Sequence, residues 1–239
     1  ELAKRANSNE TISESLDLFC IGTIADMAKL KGSNRYFLIK GLKNIHKTKC
    51  VGLKALYKVC GLSSINITSE MIGFQIAPRI NAVGRIGDPQ MILDLLIEEN
   101  IDKATDIARE CDNLNRIRKE MSNGIEAEAL AIFESDNGIM PPFILLAQSH
   151  WHPGIIGIVA SHIVEKFNRP TALLAGSDNG SFRASVRAPE GFLVNEALHS
   201  CSEYLINYGG HPAAGGFTIK AENISILHSK IYIFVLIAV

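Results

Sequence analysis

The stretch that most limits how this chain can fold is residues 102–135. Ala104, Ala108, Cys111, Leu114, Ile125 and Ala129 are among apolar positions that recur every three or four residues, and Arg116, Arg118, Lys119 and Glu120 fall between them. That period belongs to a helix with one buried stripe. At 1.5 Å per residue, an unbroken helix from Asp102 to Ser135 is about 50 Å long. Helices of that length join or brace domains, so the spacing predicts a chain in two parts. Gly124 marks where two ordinary helices would meet instead.

The two flanks read differently. Residues 13–62 read as mostly helical: Leu38, Leu42 and Ile45, then Leu53, Leu56, Tyr57 and Cys60, sit at helical spacings, with Gly61 as a stop. After Asp136-Asn137-Gly138 and Pro141-Pro142 the apolar runs become short. Strands are expected at Phe143–Ala147, Thr171–Ala175, Ser181–Arg187 and Phe217–Ile219, and helices at Ile155–Phe167 and Leu193–Tyr208. Such alternation implies a small α/β domain, with its boundary at Ser135–Pro141. The last run, Ile231–Val239, is almost wholly apolar but shorter than the roughly 20 residues a membrane span needs. It reads as a buried terminal strand or as an atypical end that would promote aggregation if exposed.

Composition excludes some classes. With 47% hydrophobic and 21% charged residues, the chain is not a disordered one. Its net charge of −1 means that any nucleic-acid contact must come from locally placed Arg and Lys. Five scattered cysteines without a Cys-x-x-Cys pair read as reduced thiols of a cytosolic protein.

Several segments concentrate chemistry. Tyr208-Gly209-Gly210-His211-Pro212-Ala213-Ala214-Gly215-Gly216-Phe217 sets one His among glycines and alanines. Read as a loop, its bare backbone N–H groups would form an anion-binding concavity, with His211 as an added donor; read plainly, it is a tight helix-to-strand turn. Ser181, Arg183, Ser185 and Arg187 alternate along an expected strand, which sends all four to one face. Two hydroxyls and two guanidiniums there suit an anionic partner, or else a solvated edge strand. Arg79, Asn81 and Arg85, punctuated by Pro78 and Gly84, offer phosphate-binding forks or ties to neighbouring acids. His150 and His152 flank Trp151 just before a helix start, a second phosphate-type position. A zinc site on His150, His152 and His211 lacks the usual ligand spacing. Asp26 closes the apolar stretch Leu16–Ala25 and is either a cap or a hard oxygen ligand for Mn²⁺ or Mg²⁺.

Taken in order, Gly22–Asp26, Ala77–Arg85, Ser149–Ser161, Gly180–Arg187 and Tyr208–Phe217 resemble the RecJ exonucleases, single-stranded-DNA-specific members of the DHH phosphoesterase family. The resemblance runs from about Leu16 to Ile219. It implies the helical end of a DHH-type domain (residues 1–100), a long connecting helix (101–138), a small α/β DHH-associated domain (139–222) and an atypical tail (223–239). It also implies 5′-to-3′ hydrolysis of single-stranded DNA with two divalent metals, Mn²⁺ or Mg²⁺. Asp26 would be a catalytic metal ligand; Ser181, Arg183, Ser185, Gly209, Gly210, His211 and His152 would hold the strand end, and Arg79, Asn81 and Arg85 would guide the strand. Single-stranded DNA, with a single-strand-binding protein or helicase, would be the partners, in the cytoplasm and away from membranes. The family's Asp-His-His triplet and Asp-x-Asp motifs do not occur here, so the chain reads as the latter part of a longer protein, inactive alone. Two further readings stand beside it: a DHH phosphoesterase acting on short oligonucleotides or cyclic dinucleotides, and a noncatalytic binding or scaffold module. A third, the glycine-rich His domain of a tRNA-editing enzyme, fits poorly with Gly22–Asp26.

Overall fold

A computed structural model of the chain describes residues 9–62, 66–135 and 141–238. It divides into two compact units, Glu1–Arg118 and Lys119–Val239. The Asp136-Asn137-Gly138 segment, where a boundary was expected, lies outside the described residues.

The first unit is helical: α1 (Asn9–Ala25), α2 (Ser33–Leu42), α3 (Val51–Val59), α4 (Ala77–Ile86), α5 (Gln90–Ile97) and the first half of α6 (Ile101–Ser135). Leu53, Leu56, Ile72, Ile76 and Leu95 are fully buried at its centre. Thr68 starts the approach to α4 by accepting the Met71 N–H on its hydroxyl at 3.2 Å, a side-chain cap. The chain then passes through a π-turn, Ile72–Ile76, into α4. Glycine is obligatory at position 52, because a Cβ there would lie 1.9 Å from the Leu95 carbonyl oxygen of α5. Cys20 and Cys111 are buried in this core, where burial, aided by Asp17 for Cys20 and by Glu110 for Cys111, pushes each thiol up to about 11.

The expected long helix is continuous. α6 runs 35 residues without a break at Gly124, and nothing lies within 4 Å of where a Cβ on Gly124 would be.

In the second unit, β1 (Ile144–Gln148), α7 (Ile156–Phe167), β2 (Thr171–Gly176), β3 (Ser181–Arg187), α8 (Val194–Ser200), β4 (Leu205–His211), β5 (Ala214–Lys220) and α9 (Ile224–Ala238) follow the second half of α6. The strands form one sheet in the order β1-β2-β3-β5-β4. β1 and β2 are parallel, with α7 as their crossover, and the other pairs are antiparallel. One side of the sheet, through Ala172, Leu174, Ala184, Val186, Phe217 and Ile219, packs with α8 and α9. α7 covers β2 and β3 and meets the later part of α6, where Phe133 and Phe167 stack edge to face at 5.8 Å.

Two sequence expectations are corrected. The helix foreseen over Leu193–Tyr208 stops at Ser200, and Leu205–His211 is strand β4. Ile206 and Tyr208 favour a strand, Gly209-Gly210 is a poor helix former, and a partner strand is at hand. The apolar final run is not a strand but the end of helix α9. Leu227, Ile231 and Val235, four residues apart, are buried against the sheet, a helical stripe that an all-apolar reading hides.

Candidate nucleic-acid interface

Two separate groups of candidate side chains form, one in each unit. In the first, α1 ends in a left-handed residue, Met27, with φ 52°. Ala28 N–H donates to the Thr23 carbonyl at 3.0 Å and Met27 N–H to that of Ile24 at 3.1 Å, the paired bonds of a Schellman stop. This leaves Asp26 exposed at the helix end, where the helix's own partial charge is negative. An acid so placed is disfavoured by its own helix and favours a nearby cation. It lines an open cleft of about 380 Å³ with Ile80, Asn81, Gly84 and Arg85 of α4.

Residues 77–86 are thus a helix rather than a punctuated loop, with Pro78 tolerated in the first turn. Helical geometry separates the three foreseen substrate residues. Asn81 and Arg85, four apart, share the cleft face; Arg79, two positions earlier, points elsewhere. Its Nε donates to Asp112 Oδ1 at 2.8 Å and its Nη1 to the Gln75 carbonyl. Sequence reading passed over Arg118. Its Nη2 donates to the buried Asn115 at 2.8 Å, and burial together with the charge of Arg85 lowers its pKa. The charge of Arg85 is thus felt at Arg118, a tertiary fact that no local sequence signal carries. Among the described residues, Asp26 is the one carboxylate lining the cleft, and no group of three His, Cys, Asp or Glu side chains converges. These residues do not fit a two-metal centre by themselves.

In the second unit, the alternation along β3 holds. Ala184 and Val186 face the core, so Ser181, Arg183, Ser185 and Arg187 share the other face. Cross-strand register extends that face through β5 to β4. Arg187 pairs with Ala214 and Ala214 with His211; Ser185 pairs with Gly216 and Gly216 with Gly209. Directly paired residues project to the same side, so His211, Arg187, Ser185 and Arg183 stand on one surface with bare glycine rows between them. The first turn of α7 lies over its edge: a Cβ on Gly157 would be 2.8 Å from Ser185 Oγ and 3.1 Å from Arg187 Nη2. Arg187 is half-buried and donates through Nη1 to Ser185 Oγ at 3.1 Å and to the Val186 carbonyl at 2.8 Å. Arg183 and His211 are exposed. Among the described residues, no hydrogen bond or ion pair holds the Arg183 guanidinium.

The glycine-rich run is a β-hairpin, not a loop or a helix-to-strand turn. Pro212-Ala213 makes its turn, fixed by Ala188 N–H and Val194 N–H donating to the Ala213 and Pro212 carbonyls. None of the run's glycines has a positive φ, so they serve through lack of bulk rather than conformational freedom. Gly210 has no room, since a Cβ would lie 2.6 Å from the Ala214 carbonyl oxygen. Gly209 differs: nothing lies within 4 Å of its virtual Cβ, so packing does not demand glycine there and the bare backbone is left open to approach. Gly209 and Gly210 also border a groove of about 610 Å³ with Asn195, Glu196, His199 and Tyr208.

His152 precedes α7 and accepts the Gly154 N–H on Nδ1 at 3.1 Å. His150 and Trp151 are held by α6: the buried Trp151 Nε1–H donates to Glu128 Oε2 at 2.8 Å, and His150 Nε2 sits 2.9 Å from the same oxygen. Those bonds hold the Glu128 carboxyl below its usual value. His150 thus orients a structural contact.

With that geometry in view, comparison with known proteins is specific. Residues 141–232 match the DHHA1 domain family. The single-stranded-DNA-specific exonuclease RecJ of Bacillus subtilis is 39% identical over 93% of this chain, which spans 28% of that protein. Its Escherichia coli counterpart is 32% identical over 92% of the chain, which spans 39% of it. The crystal structure of Thermus thermophilus RecJ in complex with Mn²⁺ matches 98% of this chain and 34% of its own, with 31% identity and a TM-score of 0.87. Over more than nine tenths of its length the chain is therefore homologous to RecJ exonucleases, of which it spans about a third, and residues 141–232 match the DHHA1 domain family.

Proposed function

We propose that this chain is the strand-holding part of a 5′-to-3′ exonuclease acting on single-stranded DNA. The observation that carries the reading is the face that Arg183, Ser185 and Arg187 of β3 share with His211 of β4 across Gly216 and Gly209. Cations, hydroxyls and a helix start around bare backbone fit a terminal phosphate, which carries more charge than an internal one. Arg183, the exposed cation of the set, makes the end contact with Ser181, while Arg187 and Ser185 brace one another. In the first unit, Asn81 and Arg85 lead the strand along the cleft that Asp26 lines. Bound divalent metals of the kind held by the Thermus protein would supply charge neutralisation at the attacked phosphate; Asp26 is the ligand this chain offers them. One carboxylate does not hold a metal pair, so the chain binds strand ends without cutting them.

Incubating the purified chain with 5′-phosphorylated and 5′-hydroxyl single strands, with Mn²⁺ present, tests both halves. The expected result is tighter binding of the phosphorylated strand and no significant turnover. Equal binding of the two ends would refute end recognition, and turnover at the rate of a full-length relative would show that the metal ligands lie elsewhere in these residues.

A further inference from the structure

Between Asp26 and Glu70 the chain carries nine lysines and arginines and not one acid, within a protein of net charge −1. The structure spreads them over the surface: Lys29, Lys31, Arg35, Lys40, Lys43 and Lys47 are all exposed. Among the described residues, none of these six is tied into an ion pair. A block of cations without counter-charges costs self-repulsion, which an anionic ligand removes.

α2 gives this surface a pattern. Its inner side, Leu38 and Gly41, is buried against α1; a Cβ on Gly41 would meet Cys20 Sγ and the Leu16 carbonyl oxygen. Its outer side then carries Arg35, Tyr36, Ile39 and Lys40, three and four apart, with Lys43 continuing that side at the C-terminal cap. Tyr36 is 62% exposed yet braced, with its ring edge to face on Phe37 at 5.3 Å and Phe37 in turn on Phe19 at 6.0 Å. An aromatic face held outward between cations is the pairing that single-stranded nucleic acid uses, through base stacking and backbone neutralisation. Duplex DNA hides its base faces. A membrane needs a continuous apolar stripe, whereas on α2 the exposed Tyr36 and Ile39 are interleaved with Arg35 and Lys40. The surface is also placed to receive a strand: Met27 lines the Asp26 cleft, and Lys29 and Lys31 follow it directly, the turn fixed by Asn34 Nδ2 donating to the Lys29 carbonyl at 3.2 Å.

We infer that the outer face of α2, with Tyr36 as a stacking platform and Arg35, Lys40 and Lys43 as phosphate contacts, is a second single-strand binding surface that holds internal nucleotides. The inference rests on the single-strand reading above for its ligand, but on none of the strand-end residues.

A circular oligothymidylate, which has no end, separates the surface from the strand-end face, and the variants used leave Asn81 and Arg85 of the cleft intact. Its affinity for the whole chain is measured across salt for wild type, Tyr36→Ala and the triple variant R35Q/K40Q/K43Q, with circular dichroism confirming unchanged folds. Tyr36→Ala is expected to weaken binding about tenfold, within the range for one stacked base. The triple variant is expected to flatten the log–log salt slope by about two, given roughly 0.7 per single-strand phosphate contact. No wild-type binding of the circle, or unchanged affinity and slope in both variants, would overturn the inference. So would a triple variant that keeps the circle but loses phosphatidylserine vesicles, which would give the face to a membrane. End recognition fails separately, by loss of the 5′-phosphate preference on linear strands.

Discussion

Glu128 shows what single residues contribute here beyond the candidate sites. One of its oxygens receives both Trp151 Nε1–H and the His150 ring, tying α6 to the turn before α7. Those bonds favour the ionised form, so its carboxyl titrates below the ordinary 4.5. For a carboxyl whose folded pKa is depressed, the stabilisation is complete above the unfolded pKa and is lost as pH falls through the folded one. Glu128→Gln should therefore lower the stability of the second unit at pH 7, and the gap from wild type should close as pH falls below the ordinary carboxylate range. Denaturant melts followed through Trp151, the chain's single tryptophan, would show this; a gap that persists at low pH would mean that the loss is one of packing. Arg79 teaches a second lesson at this scale. Its residue type is right for phosphate, but two positions along a helix turned it away from Asn81 and Arg85 and onto Asp112.

At the scale of elements, period decided what was legible. The 35-residue α6 and β3 with its polar face followed from spacing in the sequence, because each buries one regular stripe, and β1 and β2 with α7 between them followed from short apolar runs about a helical one, though not their parallel pairing. The hairpin Leu205–Lys220 did not. Glycine is a turn signal when read locally, and only the presence of a paired strand turns Gly209-Gly210 and Gly215-Gly216 into ladder positions. α9 was missed for the opposite reason, since an apolar run without polar residues carries no period to read. Register, which sets His211 on the same face as Arg183, is a tertiary fact that no local pattern contains. Close helix packing is also invisible in sequence. Gly52→Ala places a methyl against the Leu95 backbone, and neither α3 nor α5 can yield without opening the core. A loss of about 1–3 kcal/mol is expected, seen as a lower denaturation midpoint; a midpoint equal to wild type would show that α3 and α5 slide freely.

At the scale of the whole molecule, the chain divides its chemistry between two units, a cleft with one carboxylate, an amide and a guanidinium, and a sheet face of cations and bare backbone. The sequence pattern named these residues as candidates; which of them stand together needed the fold. The central claim is that the sheet face reads a strand's phosphorylated end, and Arg183→Ala tests it most directly. Affinities of wild type and variant are measured at one fixed salt concentration for the same strand with a 5′-phosphate and with a 5′-hydroxyl. A charge-assisted contact is worth roughly 1.5–3 kcal/mol, about one to two decades in affinity. The variant should lose that much on the phosphorylated strand and far less on the other, so that the two ends become nearly equal. Equal weakening on both strands would make Arg183 a general backbone contact and contradict end recognition, and no weakening on either would remove it from the interface.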